Sequence, residues 1–194
     1  MLGVVLLDKG RGGAPDALWQ SLRARQKLAA ILRRHVPRAS EARARALNNI
    51  GTVRYALGQG AAALRLCEFS LTIWRQVLPA GDARLGYGLM NTGSMALTSG
   101  AAERAEPLLS EALHLWRSVY IDGHKPGEFV ATADWLVSGL LTRARVGEDA
   151  AVRQAQARAL CDEFGFDYDR EVEQAKEFSY TPSSPGAGTD PGPK

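Results

Sequence analysis

An all-α solenoid of antiparallel helix pairs is the fold that the sequence predicts, and three observations predict it. A set of residues recurs at one offset of 42 along the 194-residue chain. The apolar positions between the recurrences follow helical spacing. No alternating apolar–polar stretch of useful length for a strand is present.

The recurrence is read directly. Asn49 and Asn91, Gly51 and Gly93, Gly58 and Gly100, Leu66 and Leu108, Leu71 and Leu113, Trp74 and Trp116, and Arg75 and Arg117 all stand 42 residues apart, as do Pro37 and Pro79. One such pair would be noise; this many at one offset is an internal repeat. Gly3 and Gly10 keep the same glycine spacing as Gly51 and Gly58. Residues 136–163 read as a weaker copy at an offset of 47, with Gly147 in the place of Gly100, Ser138 in the place of Asn91 and Leu140 in the place of Gly93.

The elements follow in order. Residues 2–9 read as a short helix. Residues 16–35 form a long amphipathic one, with Leu18, Trp19, Leu22, Leu28, Ile31 and Leu32 on one side and Arg23, Arg25, Arg33 and Arg34 mostly on another. That stretch resembles a membrane-surface helix in pattern, but it stands where a second helix of a pair belongs, so core packing is the expectation. Helices are then expected at 39–57, 61–77, 83–98, 101–119, 127–146 and 149–164, and a weak acidic one at 168–178. Residues 101–119 show the clearest apolar face, from Ala105 through Leu108, Leu109, Ala112, Leu113 and Leu115 to Trp116. In "SGAA", Gly100 suits a left-handed helix end. "PAGD" (79–82) and "IDGHKPG" (121–127) close the units with Pro/Gly turn chemistry. Gly51, Gly93, Ala63 and Ala105 let paired helices approach closely, and Trp74 and Trp116 fill the seam between successive pairs. The expected division is a truncated helix pair at 1–37, full units at 38–79 and 80–122, a degenerate unit at 123–166, a terminal helix at 167–180 and a Pro/Gly/Ser-rich disordered tail at 181–194. Because no pair buries its apolar face alone, neighbours must stack.

Composition narrows the function. Hydrophobic residues make up 45 % and net charge is +3. That charge is too small to point to nucleic acid without a clustered basic face, and the densest run, Arg33 to Arg45, is broken by Pro37 and Glu41. The excess of Arg over Lys fits either a GC-rich genome or a need for bidentate contacts. Cys67 and Cys161 lie in apolar helical patterns without ligand spacing, so both read as reduced packing thiols. No segment reaches the roughly 18 apolar residues of a membrane span, and "LGVVLL" (2–7) is too short for a signal-peptide core. A cytoplasmic protein with no metal, no cofactor, no membrane contact and no nucleic-acid partner is the expectation.

Catalytic signatures are missing. "DKGRGG" (8–13) lacks the Gly-Lys-Ser/Thr ending of a phosphate loop. "DWLVSG" (134–139) is not a nucleophile elbow. "CDEFGFDYD" (161–169) collects four acids without the oxygen-ligand spacing of a calcium loop. The chain reads as no enzyme.

The residues Gly51, Gly58 and Ala63, and again Gly93, Gly100 and Ala105, with Ser70 and Ala112 further on, resemble the tetratricopeptide repeat (TPR) pattern. The "LNNIG" phrasing and the 42-residue period are similar to kinesin-light-chain repeats, over roughly residues 2–164. The usual early aromatic is replaced by Leu47 and Leu89, and the copy at 128–164 lacks the first Gly and the Asn, which suggests a capping role. The resemblance implies a right-handed superhelix whose first helices line a concave groove for a partner protein or extended peptide. By the same resemblance Asn49 and Asn91 hold the peptide main chain, and Arg45, Asn48, Thr52, Tyr87, Ser94, Thr98, Ser138 and Arg145 line the groove, with Asp8 from the first unit. The competing reading of the Asn pair is that it braces neighbouring helices. Replacing both by Ala is expected to cost a partner about 2 kcal/mol and leave melting intact; unchanged affinity with lowered stability favours bracing. Arg45 and Arg145 do not make a carboxylate clamp, and helical RNA-reading repeats have a shorter unit. Two further readings stand beside the groove. One is a regulatory or sensor fragment of a larger signalling protein or transcription regulator. The other is a scaffold that self-associates through an exposed N-terminal helix, since Met1 falls inside a helix pair.

Overall fold

The computed structural model describes residues 15–121, 123, 125–145 and 149–177. These form eight helices: α1 (Pro15–His35), α2 (Glu41–Ala56), α3 (Gly60–Val77), α4 (Ala83–Thr98), α5 (Ala102–Val119), α6 (Gly127–Ala144), α7 (Ala150–Phe164) and α8 (Tyr168–Glu177). All secondary structure among the described residues is helical. The helix expected at 2–9, the glycine-rich stretch at 8–13, Asp8, Gly147 and the tail at 181–194 lie outside the described residues.

Local chemistry sets the ends. The Ser40 hydroxyl accepts from the Arg43 N–H at the start of α2, and the Asp82 carboxylate accepts from the Arg84 N–H at 2.9 Å at the start of α4. At the turns inside the pairs, Gly58 and Gly100 have φ of 76° and 80°. An L side chain rarely adopts that backbone, so these two glycines are required where they stand.

Helices pack in sequence: α2 against α3, α4 against α5 and α6 against α7 within pairs, and each second helix against the next first helix. The close crossing rests on the first glycine of each repeat. A Cβ on Gly51 would sit 2.5 Å from Cys67 Sγ, and one on Gly93 2.7 Å from Leu109 Cγ. The seam between pairs is filled by indoles, as expected. The Trp74 ring lies where a Cβ on Gly88 of α4 would stand, and the Trp116 ring where a Cβ on Gly86 would stand. Trp116 also donates from Nε1 to Thr132 Oγ1 of α6 at 3.0 Å. Trp74 Nε1 is buried with no acceptor among the described residues.

The indoles reset the register of the third copy. Trp74 meets Gly88 and Trp116 meets Thr132, and Ala83 and Gly127 begin their helices, both 44 residues apart. At that offset Val137 stands in the place of Gly93, Trp135 in that of Asn91 and Ser138 in that of Ser94. The offset of 47 used for the sequence reading aligned the α6–α7 turn instead, and that turn is longer.

The amphipathic α1 departs from the expectation of core packing. Leu22 is buried with Ile50 and Val53, and Leu18 and Leu32 are half-buried. Trp19, Leu28 and Ile31 remain 39 %, 50 % and 56 % exposed. The repeat supplies the reason. Ser70 and Ile73, 42 residues after Leu28 and Ile31, are buried, and Ser70 donates to Ala44 O of its own pair's first helix at 2.6 Å. Helix α2 covers only one side of α1.

Candidate functional site

The first helices α2, α4 and α6 stand side by side, and their shared face carries most of the residues singled out in the sequence. On α2 these are Arg45, Asn49 and Thr52, spaced so that all three lie on one side of the helix. On α4 the counterparts 42 residues on are Tyr87, Asn91 and Ser94, followed by Thr98. On α6 the counterparts are Ala131, Trp135, Ser138 and Thr142.

The hydroxyl row is built back into its own helices. Thr52 Oγ1 donates to Asn49 O at 3.0 Å and Ser94 Oγ to Asn91 O at 3.1 Å. Thr98 Oγ1 donates to Ser94 O at 2.9 Å and Thr142 Oγ1 to Ser138 O at 2.7 Å. With their protons directed inward, these hydroxyls offer lone pairs outward, suited to accepting a main-chain N–H.

The asparagines do not behave as equals. Asn91 Nδ2 donates to Asn48 Oδ1 at 3.3 Å, across α4 and α2, and Asn48 is only 6 % exposed. The structure thus joins Asn91 to Asn48 rather than to Asn49. Asn49 is half-buried and its amide makes no hydrogen bond to another described residue. Arg45, one turn earlier and exposed, makes no hydrogen bond or ion pair among the described residues.

Tyr87 and Arg145 also have intramolecular partners. The Tyr87 hydroxyl donates to Glu128 Oε1 of α6 at 2.7 Å, and its ring stands edge-on to Trp116. Burial, then the Glu128 carboxylate, push the phenol well above its ordinary range. Arg145 Nη1 donates to Ala175 O near the end of α8 at 3.2 Å. Ser138 is buried rather than open to the face.

The sequence reading missed Trp135 and Thr142, because the third copy was set at the wrong offset. The turn ending in Pro126–Gly127, which matches the turn before Ala83, carried the signal for 44. It also missed the ion pairs that join successive second helices: Arg104 with Glu68 and Arg75 with Glu111 between α3 and α5, and Arg117 with Glu163 of α7 at 2.5 Å. These exposed pairs account for part of the Arg excess, and each contributes little to stability. Burial pushes the Cys67 thiol up to about 12 and helps push Cys161 up to about 11, which makes both poor nucleophiles. Among the described residues no group of three or more His, Cys, Asp or Glu side chains is placed to hold a metal ion, and no helix is long and apolar enough to cross a membrane.

Residues 43–82, which span α2, α3 and the turn after them, match the tetratricopeptide repeat family model. No curated protein matches the chain in sequence. Among solved structures, the chain is similar to the nearly identical TPR-like repeats of a candidate kinesin light chain from Podosopora anserina, with TM-score 0.66 and 14 % identity, over 84 % of this chain and 79 % of that one. A point variant of the same protein matches at TM-score 0.67, with the same identity and coverage. Identity at that level carries the fold and no more. The chain thus carries a tetratricopeptide repeat within an α-solenoid of the fold seen in kinesin-light-chain-type TPR-like repeats.

Proposed function

We propose that the chain is a non-catalytic protein-interaction module that takes an extended peptide segment of a partner along the face of α2, α4 and α6. The observation that carries this is the α2 stripe: Arg45 and Asn49 sit one turn apart, and neither side chain has a partner among the described residues. A free amide can donate to and accept from one peptide unit, and a guanidinium one turn away favours a carboxylate beside it. Thr52 and Ser94 continue the stripe as acceptors. Asn48, Asn91, Tyr87 and Arg145 support this face from within rather than read the partner, since each is bonded to another helix of the chain.

A phage-displayed library of random peptides selected on the protein tests this. Enriched peptides should contain Asp or Glu and should lose about tenfold in affinity on Arg45→Ala or Asn49→Ala, the usual weight of one charge-assisted or amide hydrogen bond. Enriched peptides that bind both variants as well as the parent would place the site elsewhere.

A second reading has its own observation. Trp19, Leu28 and Ile31 expose apolar surface on α1, which favours self-association there. Sedimentation across a concentration series would show a rising mass for the parent and a constant one for Leu28→Glu; a constant mass in both excludes it.

A further inference from the structure

Helix α8 docks on α6 and α7 through Val172 and Ala175, and its start is capped by Asp167, whose Oδ1 accepts from the N–H groups of Asp169 and Arg170 at 3.1 and 3.2 Å. Ten residues are too few to hold a helix without such support. The docked face carries one discordant group. Glu171 is only 8 % exposed, and its Oε2 is buried with no hydrogen-bond partner among the described residues. The groups around it are mixed. Asp134 faces it from α6, Cys161 lies on α7, and Asp167 and Arg170 belong to its own segment. Arg158 is held over the Tyr168 ring, 4.0 Å from its centroid. Among the described residues no positive group is bonded to the Glu171 carboxylate.

An ionised carboxylate buried without a donor costs several kcal/mol, and a second carboxylate nearby adds to that cost. A protonated carboxyl avoids both. The first-turn position of Glu171 favours its charge, but a helix end is worth only about 0.3–1 kcal/mol, so burial wins.

We propose that α8 is a proton-gated cap on the α6 end of the concave face: it docks with the Glu171 carboxyl protonated and comes away when that carboxyl ionises. Burial first, then the Asp134 charge, hold this carboxyl above the ordinary glutamate range in the docked state, and Arg170 offsets only part of the rise. The sign follows. The docked form binds the proton more tightly than the released one, so docking is fully favoured below the ordinary pKa and weakens as pH rises through the raised one. Release would free Arg145 from the Ala175 carbonyl and uncover Leu141 and Ala144, which line the small cavity between α6, α7 and α8. The proposal is independent of the peptide-binding reading.

Hydrogen exchange of the α8 amides, corrected for intrinsic rates, tests it on the full chain. Protection at 172–177 should fall progressively as pH rises above the ordinary glutamate range, while the amides of α4 and α5 hold steady. In Glu171→Gln, protection should stay high and flat over the same rise. In Asp134→Asn, which removes the facing charge, the fall should shrink. Protection of α8 that does not change with pH in the parent, or that falls as steeply in Glu171→Gln, would overturn the proposal.

Discussion

The first helices are joined by different chemistry at the two ends of their shared face. Between α2 and α4 the contact is amide to amide, Asn91 to Asn48, neutral on both sides and indifferent to pH. At the α6–α8 end two carboxyls, Asp134 and Glu171, lie near each other, and one buried oxygen has no donor among the described residues. Asn48, Met90 and Asp134 occupy one register position in three successive first helices, yet they carry an amide, a thioether and an acid. The repeat therefore preserves the packing frame, while the polar contacts between first helices vary freely within it. A glycine at a helix crossing has one acceptable identity; a residue between two first helices has several.

Exchanging residues between the two ends should show this order of constraint. The largest effect is expected from Gly93→Val, which puts the Val137 side chain of the third copy into the second. The added Cβ would overlap Leu109, and urea denaturation should show a loss of about 3 kcal/mol. A loss under about 1 kcal/mol would mean that the α4–α5 crossing can widen as readily as the third one. Next come the two indoles. Trp116→Phe removes the donor to buried Thr132 and should cost about 2 kcal/mol. Trp74→Phe removes an N–H that has no acceptor among the described residues, so it should cost about 1 kcal/mol less than that. Equal losses would show that Trp74 has found a partner, such as an ordered water. The smallest effect belongs to the amide bridge. Asn48→Ala and Asn91→Ala should each lower stability by about 1 kcal/mol, with sub-additive losses in the double variant and no change of this coupling with pH.

Most of the fold was legible because its signals are local or periodic. The glycines at the crossings, the left-handed turns at Gly58 and Gly100 and the seam tryptophans recur at one spacing, and each has a steric reason to be invariant within the repeat. The third copy was misplaced because Val137 and Trp135 broke that signal, and the Trp116–Thr132 contact with the start of α6 at Gly127 restored the register. The site was legible as a face but not as a set of roles. Asn48 and Asn49 are neighbours in sequence, and nothing in the sequence says which one turns toward α4. Tyr87 reads as a groove-lining residue, and its bond to Glu128, 41 residues on, depends on the distance between two helices. Residues 168–178 read only as a weak acidic helix, because burial of a single Glu within it depends on how a terminal helix docks.

The central claim is that Asn49 meets the partner while Asn91 braces the helices. A side-by-side measurement of melting and peptide affinity for Asn49→Ala and Asn91→Ala tests it most directly, using a peptide selected on the parent protein. The account predicts that Asn49→Ala keeps the parent melting temperature and loses about tenfold in affinity, whereas Asn91→Ala melts lower by several degrees. If Asn49→Ala instead melts as low as Asn91→Ala and binds the peptide like the parent, both asparagines are braces and the account is contradicted.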